Sequence, residues 1–314
     1  MTIISAVLFG SQVSGGSDQQ SDKDLLVVCK PKYKIDAIEK YSDLGYSVSV
    51  YTLRQLENMR LQGSLFLQHL KNESRVLYDS NGVFAQFIAQ CQFVSPSLEE
   101  MKRSTKSLVN ALNCPVDYRI SWWLADYLFV LSRDYFIKHF AKKGLVIFNV
   151  IQLSQAIEKE FKLKRAEAEV FLKLRKCKSI YRSGRFEGEL VGKVLSAWYD
   201  ILTKILAEKP VIRLTAKAYL CGRAIDNFES SYELLRYVES LRIMFPDVKC
   251  GTESEHHVMK MIRNPNHYSS TSAKGKQFLA SYLAEFRKEA NKCANSNSQK
   301  WRYCCHATFT ADYA

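Results

Sequence analysis

Residues 7–28 read Val7-Leu-Phe-Gly-Ser-Gln-Val-Ser-Gly-Gly-Ser-Asp-Gln-Gln-Ser-Asp-Lys-Asp-Leu-Leu-Val-Val28, and the rest of the chain is organised around them. The stretch opens and closes in short apolar runs, Val7 to Phe9 and Leu25 to Val28, with the length and composition of buried strands. Between them stand Gly10-Ser11, Gly15-Gly16 and Ser21-Asp22-Lys23-Asp24. A glycine at a strand end lets the backbone approach a ligand closely. Main-chain amides at the start of the next segment can then hold a phosphate. Asp22 and Asp24 are two residues apart at the mouth of the second strand, so the strand period turns both carboxylates the same way. Side by side they repel, and a divalent cation between them removes the repulsion. Either dipeptide signal alone is common in surface turns. Both together, each joined to an apolar strand, predict a phosphate cradle beside half of a metal site.

Working outward, residues 1–9 form a first strand and Leu25 to Cys29 a second. Tyr33 to Asp43 carries Ile35, Ile38 and Tyr41 at helical spacing and ends at Gly45. Tyr46 to Tyr51 alternates serines with valines, the pattern of a half-buried strand. Thr52 is a candidate cap for the helix that follows. Gly63-Ser64 interrupts that helix, Leu65 to Leu70 is another, and Arg75 to Tyr78 is a final edge strand closed by Asp79 to Gly82. This is a small mixed-sheet unit of about 80 residues. Beyond it the pattern is helical: Glu99 to Leu112, Tyr118 to Lys142, Asn149 to Glu160, Arg165 to Tyr181, Phe186 to Glu208 and Ser230 to Met244, with further segments at Ser254 to Met261 and Lys274 to Asn291. The helix Tyr118 to Lys142 holds too many aromatic residues for one exposed face and is expected at the centre of a core. The expected fold class is therefore α+β. It divides into a sheet domain over residues 1–82, a large all-helical domain over 83–292 (with subdivision near 210 or 246), and a polar tail over 293–314.

Composition narrows the partner class. Lys plus Arg is 45 against 32 Asp plus Glu, a net charge of +13, which favours an anionic partner. No apolar run approaches the ~20 residues of a membrane span, and the N-terminus lacks a signal-peptide pattern. A cytoplasmic location is the expectation. The nine cysteines are an odd number without framework spacing and are expected to be free thiols. Cys304-Cys305-His306 has no second Cys/His pair nearby and is a poor zinc site.

At Gly10-Ser11, Gly15 and Ser21-Asp22-Lys23-Asp24-Leu-Leu-Val-Val28 the chain resembles the polymerase-β-like nucleotidyltransferase superfamily, nearest to its small stand-alone bacterial and archaeal domains. The run Gly63 to Asp79 also resembles the end of such domains. The resemblance covers about residues 3–80. It implies that Gly10, Ser11 and Ser21 bind the nucleotide, that Asp22 and Asp24 are catalytic and bind Mg²⁺ or Mn²⁺, and that the substrate is a nucleoside triphosphate such as ATP. Two metals ~4 Å apart would bridge the phosphates and the attacking oxygen, with pyrophosphate leaving. The acceptor implied is an RNA end or a protein hydroxyl. A toxin–antitoxin or phage-defence setting with a cognate protein partner is implied too, and an oligomer is compatible with it.

Two features depart from that pattern. The family places a third carboxylate on the neighbouring strand, where this chain has Ser47 or Ser49, and a hydroxyl is a weak metal ligand and a poor base. Asp43, Glu73 and Asp79 are the nearest other acids, none with the right strand position. The usual helix before the first strand is also missing. The alternative to an active enzyme is therefore a nucleotidyltransferase-like subunit that binds nucleotide or RNA within a larger assembly.

Further along, Lys162, Lys164, Arg165, Lys173, Arg175, Lys176, Lys178, Arg182 and Arg185 form a basic run with Tyr181 and Phe186 available to stack. It is either a solvated helix face or an RNA-tracking surface. Arg133 and His139 resemble the RNase motif of HEPN helical domains. Six positions along one helix differ by about 240°, however, which separates the two side chains. Pairing of Arg133 with Asp126, one heptad earlier, is the expectation there.

Overall fold

The computed structural model describes residues 3–13, 23–184, 190–207, 215–223, 228–263 and 274–296. A four-stranded mixed sheet comes first, and helices follow. The strands are β1 (Ile3–Phe9), β2 (Asp24–Cys29), β3 (Ser47–Tyr51) and β4 (Ser74–Asp79), in the order β3-β2-β1-β4. β1 pairs antiparallel with both β2 and β4, while β2 and β3 run parallel. The α+β expectation holds: a small mixed sheet, then a long series of helices.

Strand β2 is buried on both sides, as a run of five apolar residues requires. One face, with Val7, Phe9, Leu26 and Val28, packs against Leu56, Leu67, Leu70 and Phe84. These come from α2 (Leu53–Leu61), α3 (Leu65–Asn72) and α4 (Val83–Ala89). The other face, with Leu25, Val27, Val48 and Val50, packs against Ala37 and Ile38 of α1 (Lys34–Asp43). Thr52 caps α2 as expected and closes a capping box with Gln55. β4 is an edge strand, and its Val76, Leu77 and Tyr78 are exposed.

Helix α4 is an element the sequence reading did not contain, and its start explains it. Asp79 ends β4 and its carboxylate accepts from the Phe84 and Ala85 amides and from the Ser5 hydroxyl. The sheet unit therefore runs past residue 82, because Phe84 and Cys91 belong to its core. Burial alone would raise the Asp79 carboxyl, but these three donors outweigh it and hold it below the usual range. A depressed folded pKa contributes stability above the unfolded value of ~4 and loses it as pH falls through the folded value. Asp79→Ala is expected to cost ~1–2 kcal/mol at pH 7. Thermal melts should show the gap from wild type closing below about pH 4; a gap unchanged at pH 2 would contradict the capping role.

The remaining helices are α5 (Leu98–Leu112), α6 (Ser121–Lys142), α7 (Val150–Glu160), α8 (Arg165–Ser183), α9 (Leu190–Leu206), α10 (Ala216–Cys221), α11 (Ser231–Met244), α12 (Thr252–Arg263) and α13 (Lys274–Ser296). No helix among the described residues is long and apolar enough to cross a membrane. Chain contacts divide the protein into two compact units, Met1–Lys102 with Arg133–Lys164, and Arg103–Ser132 with Arg165–Ala314. The chain thus passes between the units more than once, whereas the sequence divided it into consecutive segments, 1–82, 83–292 (with subdivision near 210 or 246) and 293–314. The second unit has its own aromatic core: Trp123, Tyr127 and Phe129 of α6 lie buried with Phe171 of α8 and Trp198 of α9. Phe129 stacks on Phe171, and the Trp198 indole N–H donates to Ser132. The central-helix expectation for α6 therefore holds. Cys29, Cys91, Cys114, Cys177, Cys221 and Cys250 are free thiols, as expected for these six.

Candidate active site

Strand register sets the end of β1, Asp24 and Ser47 side by side. Phe9, the last residue of β1, lies opposite Asp24, and Asp24 lies opposite Ser47 on β3. Two residues on, Leu26 lies opposite Ser49. Leu26 and Val28 point into the Phe9 core, so the period of two places Asp24 on that face of β2. Tyr51 also packs there, which puts Ser47 and Ser49 on the same side of β3. A hydroxyl therefore stands beside Asp24 where the resemblance implies a third carboxylate.

Gly10 turns the chain out of β1. Its φ of +78° is the left-handed region that glycine enters without penalty. A Cβ built there would come within 3.1 Å of Asp24 Oδ2 and 3.9 Å of His69 Cε1. A side chain at this position would press on the Asp24 carboxylate, a second reason for glycine beside the positive φ. The amide of Gly10 donates to the Glu73 carbonyl at 3.0 Å. The sequence reading gave this amide to a phosphate, and the return of β4 alongside β1 takes it instead. Gly10 serves the site by its lack of a Cβ. Ser11 follows in a single turn of 3₁₀ helix, Gly10–Gln12. Gly15, Ser21 and Asp22 lie outside the described residues, as do Arg185, Phe186 and Cys304 to His306.

His69 and Glu73 are the residues that sequence reasoning missed. They sit one turn apart on and just after α3, and His69 Nε2 lies 3.3 Å from Glu73 Oε2. The imidazole meets Phe9 edge-on at 5.6 Å between centroids and stacks on Phe148 at 4.4 Å. The pair is 12% and 16% exposed. Glu73 was weighed as a spare acid and rejected on strand position. Its position is set instead by the α3–β4 junction.

Among the described residues no three His, Cys, Asp or Glu side chains converge as a metal cluster. Asp22, the second carboxylate of the expected pair, is outside them. The Asp24 carboxylate offers hard oxygen donors of the kind Mg²⁺ or Mn²⁺ takes.

The other candidates separate. Lys162, Lys164, Lys173 and Lys176 are exposed. Arg165 pairs with Glu169, Lys178 lies over the Phe129 ring, and Arg182 binds Asp126 at 2.6 Å. Tyr181 donates its hydroxyl to Glu239 at 2.5 Å, so it has a fixed partner within its own unit. Asp126 is held by Arg236 and Arg182, while Arg133 donates to the Phe148 carbonyl. The expected Asp126–Arg133 pair is replaced by these longer-range partners. His139 lies against Phe161 and 3.4 Å from Glu160, on the continuous helix α6. Arg133 and His139 thus have separate partners, as the helical geometry required.

No family model, curated protein or solved structure matches this chain.

Proposed function

We propose that this protein is a nucleotidyltransferase that moves a nucleoside monophosphate from a nucleoside triphosphate to a hydroxyl, on an RNA end or a protein. One observation supports the reading: Gly10 leaves β1 with positive φ directly against the Asp24 carboxylate, with no Cβ between the backbone and that carboxylate. On this reading phosphate and carboxylate chemistry would share one point at the mouths of two adjacent strands. Asp24 with Asp22 would hold Mg²⁺ or Mn²⁺, which supplies charge neutralisation of the phosphates and of the attacking oxygen. Ser11 would contact the β- and γ-phosphates, and Gly10, lacking a Cβ, would let the backbone approach them. The acceptor oxygen bonds to the α-phosphorus, the bond from that phosphorus to the bridging oxygen breaks, and pyrophosphate leaves. Positioning dominates such chemistry, so few side chains are needed. The net charge of +13 and the exposed lysines at 162, 164, 173 and 176 favour RNA as acceptor.

The pairing of Asp24 with Ser47 favours a second reading, a subunit that binds nucleotide and transfers nothing, since serine is a weak ligand and a poor base there. Incubation with each α-labelled triphosphate, Mg²⁺ or Mn²⁺, and total RNA or lysate separates the two. Transfer that an Asp22→Ala/Asp24→Ala variant lacks supports the enzyme. Binding without transfer under either metal supports the second reading, and neither binding nor transfer overturns both.

A further inference from the structure

We draw no further inference here: the strongest candidate, the outer edge of the sheet at β4, where Val76, Leu77 and Tyr78 are exposed, breaks its register between Val76 and Tyr78, and nothing in the structure shows what covers it.

Discussion

Asp24→Asn is expected to lower nucleotidyl transfer by at least ~10³-fold, while the protein keeps its fold and its melting temperature. The size of the effect follows from what Asp24 would do. A carboxylate bound to Mg²⁺ contributes several kcal/mol to neutralising the phosphates in the transition state, and ~4 kcal/mol is ~10³ in rate. The unchanged fold follows from where Asp24 stands. It is the first residue of β2, half-buried at the strand mouth, and the strand is held by its neighbours Leu25 to Val28 on both faces. Asparagine has the same shape and leaves that core untouched. A companion variant asks about the metal directly. Asp24→Cys replaces a hard oxygen with a soft sulfur, so activity lost with Mg²⁺ should return in part with Mn²⁺ or Cd²⁺. Transfer by Asp24→Asn within tenfold of wild type would remove Asp24 from the metal site and, with it, the case for catalysis here.

The residues whose roles were legible in the sequence are those governed by local rules. Gly10 had to be glycine because the chain leaves β1 with positive φ. Thr52 was readable as a cap because Gln55 stands at the capping-box spacing. The unbroken apolar run of β2 announced burial on both faces, and the serine–valine alternation of β3 announced burial on one. It was the family resemblance, and not that alternation, that set Ser47 or Ser49 near the aspartates. What was not legible depends on partners far away in sequence. Helix α4 is capped by Asp79 through its side chain, with Ser5 as third partner, and no local pattern carries that. The Gly10 amide is taken by Glu73 because β4 returns beside β1, 60 residues later. His69 comes close to Gly10 for the same reason: α3 packs against the end of β1, and Phe148, just ahead of α7, stacks on the imidazole. On α6, the heptad spacing that suggested an Asp126–Arg133 pair was real, but Arg236 lies closer in space than anything one heptad away.

Arg236 is the residue whose loss is expected to destabilise the helical unit most. It is 1% exposed and binds Asp126 at 2.7 Å and Glu239 at 2.6 Å. Arg182 and the Tyr181 hydroxyl complete the cluster. Burial alone would lower its pKa, yet the two carboxylates outweigh burial and hold the guanidinium charged. Asp126 Oδ1 has no hydrogen-bond partner, so this carboxylate depends on its ion pairs. Arg236→Met keeps the volume and removes the charge, leaving two buried carboxylates with Arg182 alone among the arginines that bind Asp126. Breaking one side of a buried pair costs ~3–5 kcal/mol, because the remaining charge stays desolvated. The variant is expected to melt ~10 °C below wild type, from ~2–4 °C per kcal/mol in a unit of this size. A triple variant, Asp126→Asn/Arg236→Met/Glu239→Gln, removes the uncompensated charge and should regain most of the loss, since a buried ion pair seldom outperforms a neutral core. Urea unfolding of the two variants beside wild type measures both effects. A loss below 1 kcal/mol for Arg236→Met would mean that water reaches this cluster in solution. A triple variant less stable than Arg236→Met would mean that the charges hold the helices together by more than mutual compensation.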